Sequence, residues 1–161
     1  MKRIAAFVAV FLVALPTAFA HDGTDHAKHG MTKKEQTAWG VAGDRSSVTR
    51  TVEVVMSDDM KFSPSNITVK NGETVRFLIK NSGQVLHELV LGTAPVLDEH
   101  AKMMMMNPNM AHSEPYMVHV KPGQSGELVW NFNRPGVFDF ACLIAGHYQA
   151  GMKGKVVVSA Q

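Results

Sequence analysis

One stretch carries most of the chemistry in this sequence: "FACLIAGHYQAGMKG", Phe140 to Gly154. It holds the chain's only cysteine, Cys142. Four residues separate Cys142 from His147, and four more separate His147 from Met152. A thiolate, an imidazole and a thioether grouped in this way form a soft, nitrogen- and sulfur-rich donor set for a transition metal. The plain alternative is a buried thiol at the end of a strand. Three donors on one short loop call for a fourth from elsewhere, and His87 in "QVLHELVLG" is placed for it, at the start of a strand just after a turn. Two imidazoles, one thiolate and one weak thioether make the trigonal His2Cys set with an axial Met that selects copper for electron transfer. Zinc fits less well. Its structural sites use paired cysteines or His-x-x-x-His spacing, neither of which occurs here, and a thioether is a poor zinc ligand.

The elements that must position these donors are strands. "TVEVVM", "NITV", "TVRFLIK", "VLHELVLG", "YMVHV", "GELVWNF", "VFDFAC" and "GKVVVS" are short, rich in β-branched or aromatic residues, and bounded by Gly, Pro and Asn turns. Seven or eight such strands, with no long helical period, predict an antiparallel β-sandwich in a single domain. Cys142 then lies where its strand leaves the sheet, and glycines at 146, 151 and 154 let the following loop turn tightly. The segment from Thr93 to Pro115 is too long for a hairpin loop. It reads as an insertion in which Leu97 to Met106 forms a short helix stopped by Pro108.

The first 20 residues have the form of an export signal. Lys2 and Arg3 precede an apolar run, Ile4 to Leu15, followed by Pro16 and the small-x-small pattern Ala18-Phe19-Ala20. The run is short for a bilayer span. Cleavage would expose His21 as the new N-terminus and leave 141 of the 161 residues. The full chain has 16 Lys+Arg against 14 Asp+Glu. Removing Lys2 and Arg3 makes it formally neutral, and nothing in it suggests nucleic-acid binding, which needs a basic stripe. Residues 21–47 read as a flexible, His-containing tail, and 48–161 as the folded domain. A lone cysteine in an exported protein cannot form an internal disulfide, and a bound metal would protect it from oxidation.

These residues together resemble the cupredoxins, the plastocyanin and azurin family. The resemblance spans about Thr49 to Ser159. "HELVLGT", the Met-rich insertion, "GELVWNF" and "FACLIAGHYQAGMKGKVVV" are similar to a bacterial subgroup of periplasmic cupredoxins associated with copper resistance. It implies a Greek-key sandwich and one mononuclear type 1 copper held by His87, Cys142, His147 and Met152. Many relatives carry proline where this ligand loop has Ala145.

Around that site, physics suggests further roles. A metal-bound thiolate is steadied by backbone N–H donors, and the N–H of Glu88 can face the Cys142 sulfur. The Glu88 side chain points away from that of His87, either to pin the ligand loop or to lie solvated on the strand. His147 is expected to be the ligand nearest the surface, ringed by Leu143, Ile144 and Ala145, as a docking patch for a redox partner protein.

His100, Met103, Met104, Met105, Met106, Met110, His112 and Met117 crowd the insertion. They read as an accessory copper surface, since thioethers take Cu(I) and histidines Cu(II), or as packing, since Met fills irregular apolar gaps. Four consecutive Met cannot share one helix face, so at least one or two are expected to be exposed. His119 reads as structural. His21, His26 and His29 make the tail either a second accessory chelate or a solvated terminus.

Two functions compete: a periplasmic copper-tolerance protein that binds or redox-handles copper, and a periplasmic electron carrier of the plastocyanin/azurin type. The accessory Met and His favour the first. Enzymes with a second copper class fed through histidines flanking the cysteine are disfavoured, because Ala141 and Leu143 flank Cys142. A dinuclear cysteine-bridged centre needs two cysteines. The expectation is a non-catalytic monomer with no membrane span after cleavage.

Overall fold

The computed structural model describes residues 34–110 and 112–160. Among the described residues, ten strands form two five-stranded sheets packed face to face. The first sheet runs β1 (Val41–Ala42), β8 (Ser125–Phe132), β5 (Glu73–Asn81), β2 (Arg50–Ser57), β3 (Lys61–Ser63). The second runs β4 (Asn66–Lys70), β10 (Lys153–Ser159), β9 (Gly136–Ala141), β6 (His87–Gly92), β7 (Met117–Val120). Eight of the ten are the strands expected from the sequence. The other two, β1 and β3, are two and three residues long, too short to show a period.

The sandwich is mixed rather than wholly antiparallel. β2 runs parallel to β5, and β4 parallel to β10. Both pairs arise because the intervening chain crosses to the opposite sheet, as sandwich connections do.

Alternation builds the core. In β2, Val52, Val54 and Met56 point inward while their neighbours face solvent; in β10, Val156 and Val158 do the same. Trp130, Phe77, Phe132 and Phe140 are buried between the sheets. Each buried aliphatic or aromatic side chain contributes about 1.5–3 kcal/mol relative to exposure.

The fold takes in residues that were expected to belong to the tail ending at 47. Trp39 is buried in the main core, its carbonyl accepts a 2.9 Å hydrogen bond from Trp130 Nε1, and its ring meets Tyr116 edge-on at 5.2 Å. Gly40 makes this close approach feasible. Its φ is +129°, and a Cβ there would fall 2.5 Å from Trp130 Nε1. One large apolar residue, Trp39, ties down a segment with little other apolar content. Residues 21–33, including His21, His26 and His29, lie outside the described residues, as does the export signal.

The insertion is helical. α1 spans Ala94–Met106, with a proline in its first turn, where the missing N–H costs nothing. It therefore starts three residues before the expected Leu97. Leu97, Ala101 and Met104, spaced i, i+4, i+7, form its buried face. They pack with Val90, Met117, Ala141, Leu143 and Tyr148 in a second apolar cluster. β6 is consequently buried on both faces along its whole length. Among the described residues, no helix is long and apolar enough to cross a membrane.

Candidate metal centre

β6 begins at His87 and β9 ends at Ala141, one residue before Cys142. The two strands are antiparallel neighbours, so their pairing brings the histidine and the thiol to one end of the second sheet. The loop after Cys142 then returns on itself. The Cys142 N–H donates to Met152 O at 3.1 Å, Met152 N–H to His147 O at 3.1 Å, and His147 N–H to Ile144 O at 2.9 Å.

His147 Nδ1 lies 3.3 Å from Cys142 Sγ, and His87 Nδ1 lies 3.9 Å from it. The donor atoms of all three residues fall within 4.8 Å of one another. A first-row ion with bonds of about 2.0 Å to nitrogen and about 2.3 Å to sulfur, opened to a trigonal angle, needs donors about 3.7 Å apart. The two observed separations bracket that value, so the residues fit one ion. Met152 is wholly buried in the same core cluster as Cys142, which places the fourth expected ligand at the closing end of the loop. His147 is half-buried, whereas His87 and Cys142 are fully buried. His147 is thus the most exposed of these three residues. Leu143 does not belong to the surface around it: it is 1% exposed and packs beneath α1. Ile144 and Ala145 are partly exposed.

The surroundings prepare the donors. Glu88 N–H donates to Cys142 Sγ at 3.4 Å. Its carboxylate Oε1 accepts Leu143 N–H at 2.9 Å. Glu88 thus steadies the sulfur with its backbone and pins the ligand loop with its side chain. It is not a solvated charge, being fully buried, and burial raises its pKa.

Asp58 escaped the sequence reading. Its Oδ1 lies 3.1 Å from His87 Nε2. Asp58 also accepts Gln84 N–H at 2.7 Å. That backbone donor, followed by His87, holds its carboxyl below the ordinary range. A proton kept on Nε2 by this carboxylate leaves the Nδ1 lone pair facing Cys142, the tautomer a metal requires. Gly83 permits the approach, because a Cβ there would fall 2.6 Å from Asp58 Cγ. The signal is faint in sequence: an aspartate 29 positions from the histidine, and a glycine in a turn.

Asp58→Asn offers N–H donors to Nε2 and so favours the wrong tautomer. It is expected to weaken copper binding about 10- to 100-fold, measured by competition with a chelator of known affinity. An unchanged affinity would show that Asp58 does not set the ring.

Burial pushes the Cys142 thiol up to about 12, although the Glu88 and Ile144 N–H groups pull it down. At neutral pH the metal-free thiol is therefore protonated, and metal must displace that proton. Burial, and after it the neighbouring His87, lower the pKa of His147, so its imidazole is already neutral at pH 7. The sign follows: binding rises with pH, by about tenfold per unit for the one thiol proton. Titrations between pH 7 and 9 check this, and a flat affinity would contradict it.

The insertion is joined to the ligand loop. Tyr148 donates to Asp98 of α1, and Lys153 lies 3.6 Å above the Tyr148 ring. Of the accessory candidates, Met104 and Met117 are buried in the cluster beneath α1, so they pack rather than offer a surface. Met103, Met105, Met106 and Met110 are exposed. His100 and His112 come together, with rings 4.8 Å apart. His119, read as structural, joins them: its ring lies 5.3 Å from that of His112, and its Nε2 lies 2.7 Å from Glu88 Oε2.

Residues 48–159 match the family described as copper binding proteins, plastocyanin/azurin family. The chain is 49% identical over 156 residues to the copper-resistant cuproprotein CopI of Rubrivivax gelatinosus, covering 95% of this chain and 94% of that protein. It is 36% identical to the CopI of Pseudomonas aeruginosa, covering 91% and 93%. Among solved structures, the reduced auracyanin of Roseiflexus castenholzii superposes with a TM-score of 0.60 at 20% identity, over 70% of this chain and 98% of that one. At that identity the likeness concerns the fold alone. With the sandwich, the clustered His, Cys and His donors and a family match over most of the chain in agreement, the chain belongs to the plastocyanin/azurin family of copper-binding proteins.

Proposed function

We propose that this protein is exported to the periplasm, holds one mononuclear type 1 copper through His87, Cys142, His147 and Met152, and serves copper tolerance. The observation that carries the site is the convergence of one donor atom each from His87, Cys142 and His147 within 4.8 Å, with Met152 buried in the same core cluster as Cys142. Copper, when bound there, supplies reversible one-electron chemistry. The chain's own residues do the rest. Asp58 orients His87, Glu88 N–H steadies the sulfur, and the apolar core cluster around Cys142 and Met152 excludes water on the inner side.

Tolerance is favoured over a pure carrier role by two observations. The CopI cuproproteins, similar along nearly their whole length, are named for copper resistance. Met103, Met105 and Met106 stand exposed on α1, at 41%, 51% and 72%, where soft thioethers meet solvent and can take Cu(I). The carrier reading keeps one support of its own. Val85 and Leu86, just before His87, are exposed, an apolar approach to the metal end that suits a redox partner. Self-contained catalysis is not part of the proposal, and a monomer suffices for it.

The test is copper survival of cells lacking the chromosomal copy. The wild-type chain is expected to restore growth in copper. Met103→Leu/Met105→Leu/Met106→Leu, which keeps helix propensity and leaves Met104 in the core, is expected to restore it only in part while sparing the thiolate band. Full restoration by the triple variant would favour the carrier reading.

A further inference from the structure

We propose that Glu88, His112 and His119 form a second metal site, separate from the type 1 centre, that takes a divalent first-row cation and Cu(II) in preference to the others. The proposal draws on the copper-handling function only for which metal the protein meets; the donor set stands without it.

The three residues arrive from different elements. Glu88 is on β6, and His119 sits directly opposite it on β7, so the two side chains share the face beneath the insertion. His112 comes from the segment between α1 and β7. Their donor atoms lie within 4.8 Å of one another. Glu88 Oε2 is 2.7 Å from His119 Nε2 and 4.0 Å from His112 Nε2, separations suited to donors around one ion.

The hydrogen bonding points to an ion rather than to a closed polar network. Glu88 Oε2 and His112 Nε2 are both buried, and neither has a hydrogen-bond partner. For Oε2 this holds despite the short distance to His119, so that contact does not satisfy it as a hydrogen bond does. A fully buried carboxylate oxygen without a donor is costly, and a cation would remove the cost. The His112 tautomer is also set. Its Nδ1 lies 3.0 Å from the Met110 carbonyl, which can only accept, so the proton resides on Nδ1 and Nε2 presents a lone pair toward Glu88. A ring N–H held by a backbone carbonyl is the usual arrangement behind a metal-bound histidine. His100 of α1 meets His112 edge-on at 4.8 Å and brings a third imidazole to the border of the cluster.

The donor set is imidazole and carboxylate with no sulfur, which suits Cu(II) and Zn(II) over Cu(I), and Cu(II) binds more tightly than Zn(II) in the divalent series. Half-exposed His119 gives the ion a way in from solvent. Glu88 links the two sites physically. Its N–H meets the Cys142 sulfur, its Oε1 pins Leu143, and its Oε2 would bind the second ion. The chain could thus hold Cu(II) within one residue of its redox centre.

The experiment is a Cu(II) titration of the full chain, following total bound copper and the visible thiolate band together. It uses a His21→Gln/His26→Gln/His29→Gln background so that tail histidines do not contribute. We expect two equivalents, only one of which adds to the band. Adding His112→Ala/His119→Ala should remove the bandless equivalent, or weaken it about 100-fold, with the band unchanged as evidence of an intact fold. The milder His119→Gln, at a half-exposed position, should weaken it in the same direction. Retention of the second equivalent at wild-type affinity in both variants would overturn the site, as would a background chain that binds one equivalent only. Absence of any band, with bandless copper still lost on His112→Ala/His119→Ala, would instead refute the type 1 reading and leave this one standing.

Discussion

Cys142→Ser is expected to abolish the intense visible thiolate-to-copper band and to lower Cu(II) affinity by at least about 100-fold, while the sandwich stays folded. The band requires a sulfur-to-copper bond, and the described residues hold no other thiol. The serine oxygen is nearly isosteric and inherits a donor, because Glu88 N–H already points at the sulfur position. The buried hydroxyl therefore keeps a hydrogen bond, and the stability cost stays at about 1–2 kcal/mol. Visible absorption and far-ultraviolet circular dichroism on the same sample separate the two effects. A band that survived the substitution would remove Cys142 from the site.

Asn81→Ala is expected to lower stability by about 3 kcal/mol or more and the melting temperature by about 10 °C. Asn81 is fully buried. Its Nδ2 donates to Val85 O at 2.8 Å and to Val120 O at 2.9 Å, and its Oδ1 accepts Gly83 N–H at 2.8 Å. Alanine would leave two carbonyls and one N–H without these partners in a place that water reaches poorly. The same bonds shape residues 81–86, the turn that delivers both Gly83 to Asp58 and the chain to His87. Copper affinity is thus expected to fall along with stability. Thermal unfolding of the metal-free protein checks the first part. A shift under about 2 °C would show that the turn holds without Asn81.

The residues of the site divide by how locally they are specified. Cys142, His147 and Met152 share one loop, and a spacing of four residues between donors is visible in any linear reading. His87 was reachable because it opens a strand after a turn, the position from which a side chain meets the end of a sandwich. The Glu88 N–H contact followed from the same logic, since the residue beside a ligand carries the nearest free donor.

Residues specified by pairing were harder to read. His119 stands opposite Glu88 only because β6 and β7 pair in one register, and nothing in "YMVHV" reveals that register. Asp58 reaches His87 across a turn held by Asn81 and Gly83, a relation between segments rather than a pattern within one. Trp39 shows the same limit for the fold. A single tryptophan in a polar stretch carries no period, yet its burial against Trp130 and Tyr116 extends the domain to residues taken for a tail. The four-methionine run gave the opposite result. Helical geometry alone required some of the four to face outward, and one of them, Met104, is buried while three are exposed.

The most direct test of the central claim is anomalous X-ray scattering at the copper edge from crystals loaded with one equivalent of Cu(II). The account predicts one dominant peak within bonding distance of His87 Nδ1, Cys142 Sγ and His147 Nδ1, on the side closed by Met152. A dominant peak elsewhere, with none at Cys142 Sγ, would contradict it.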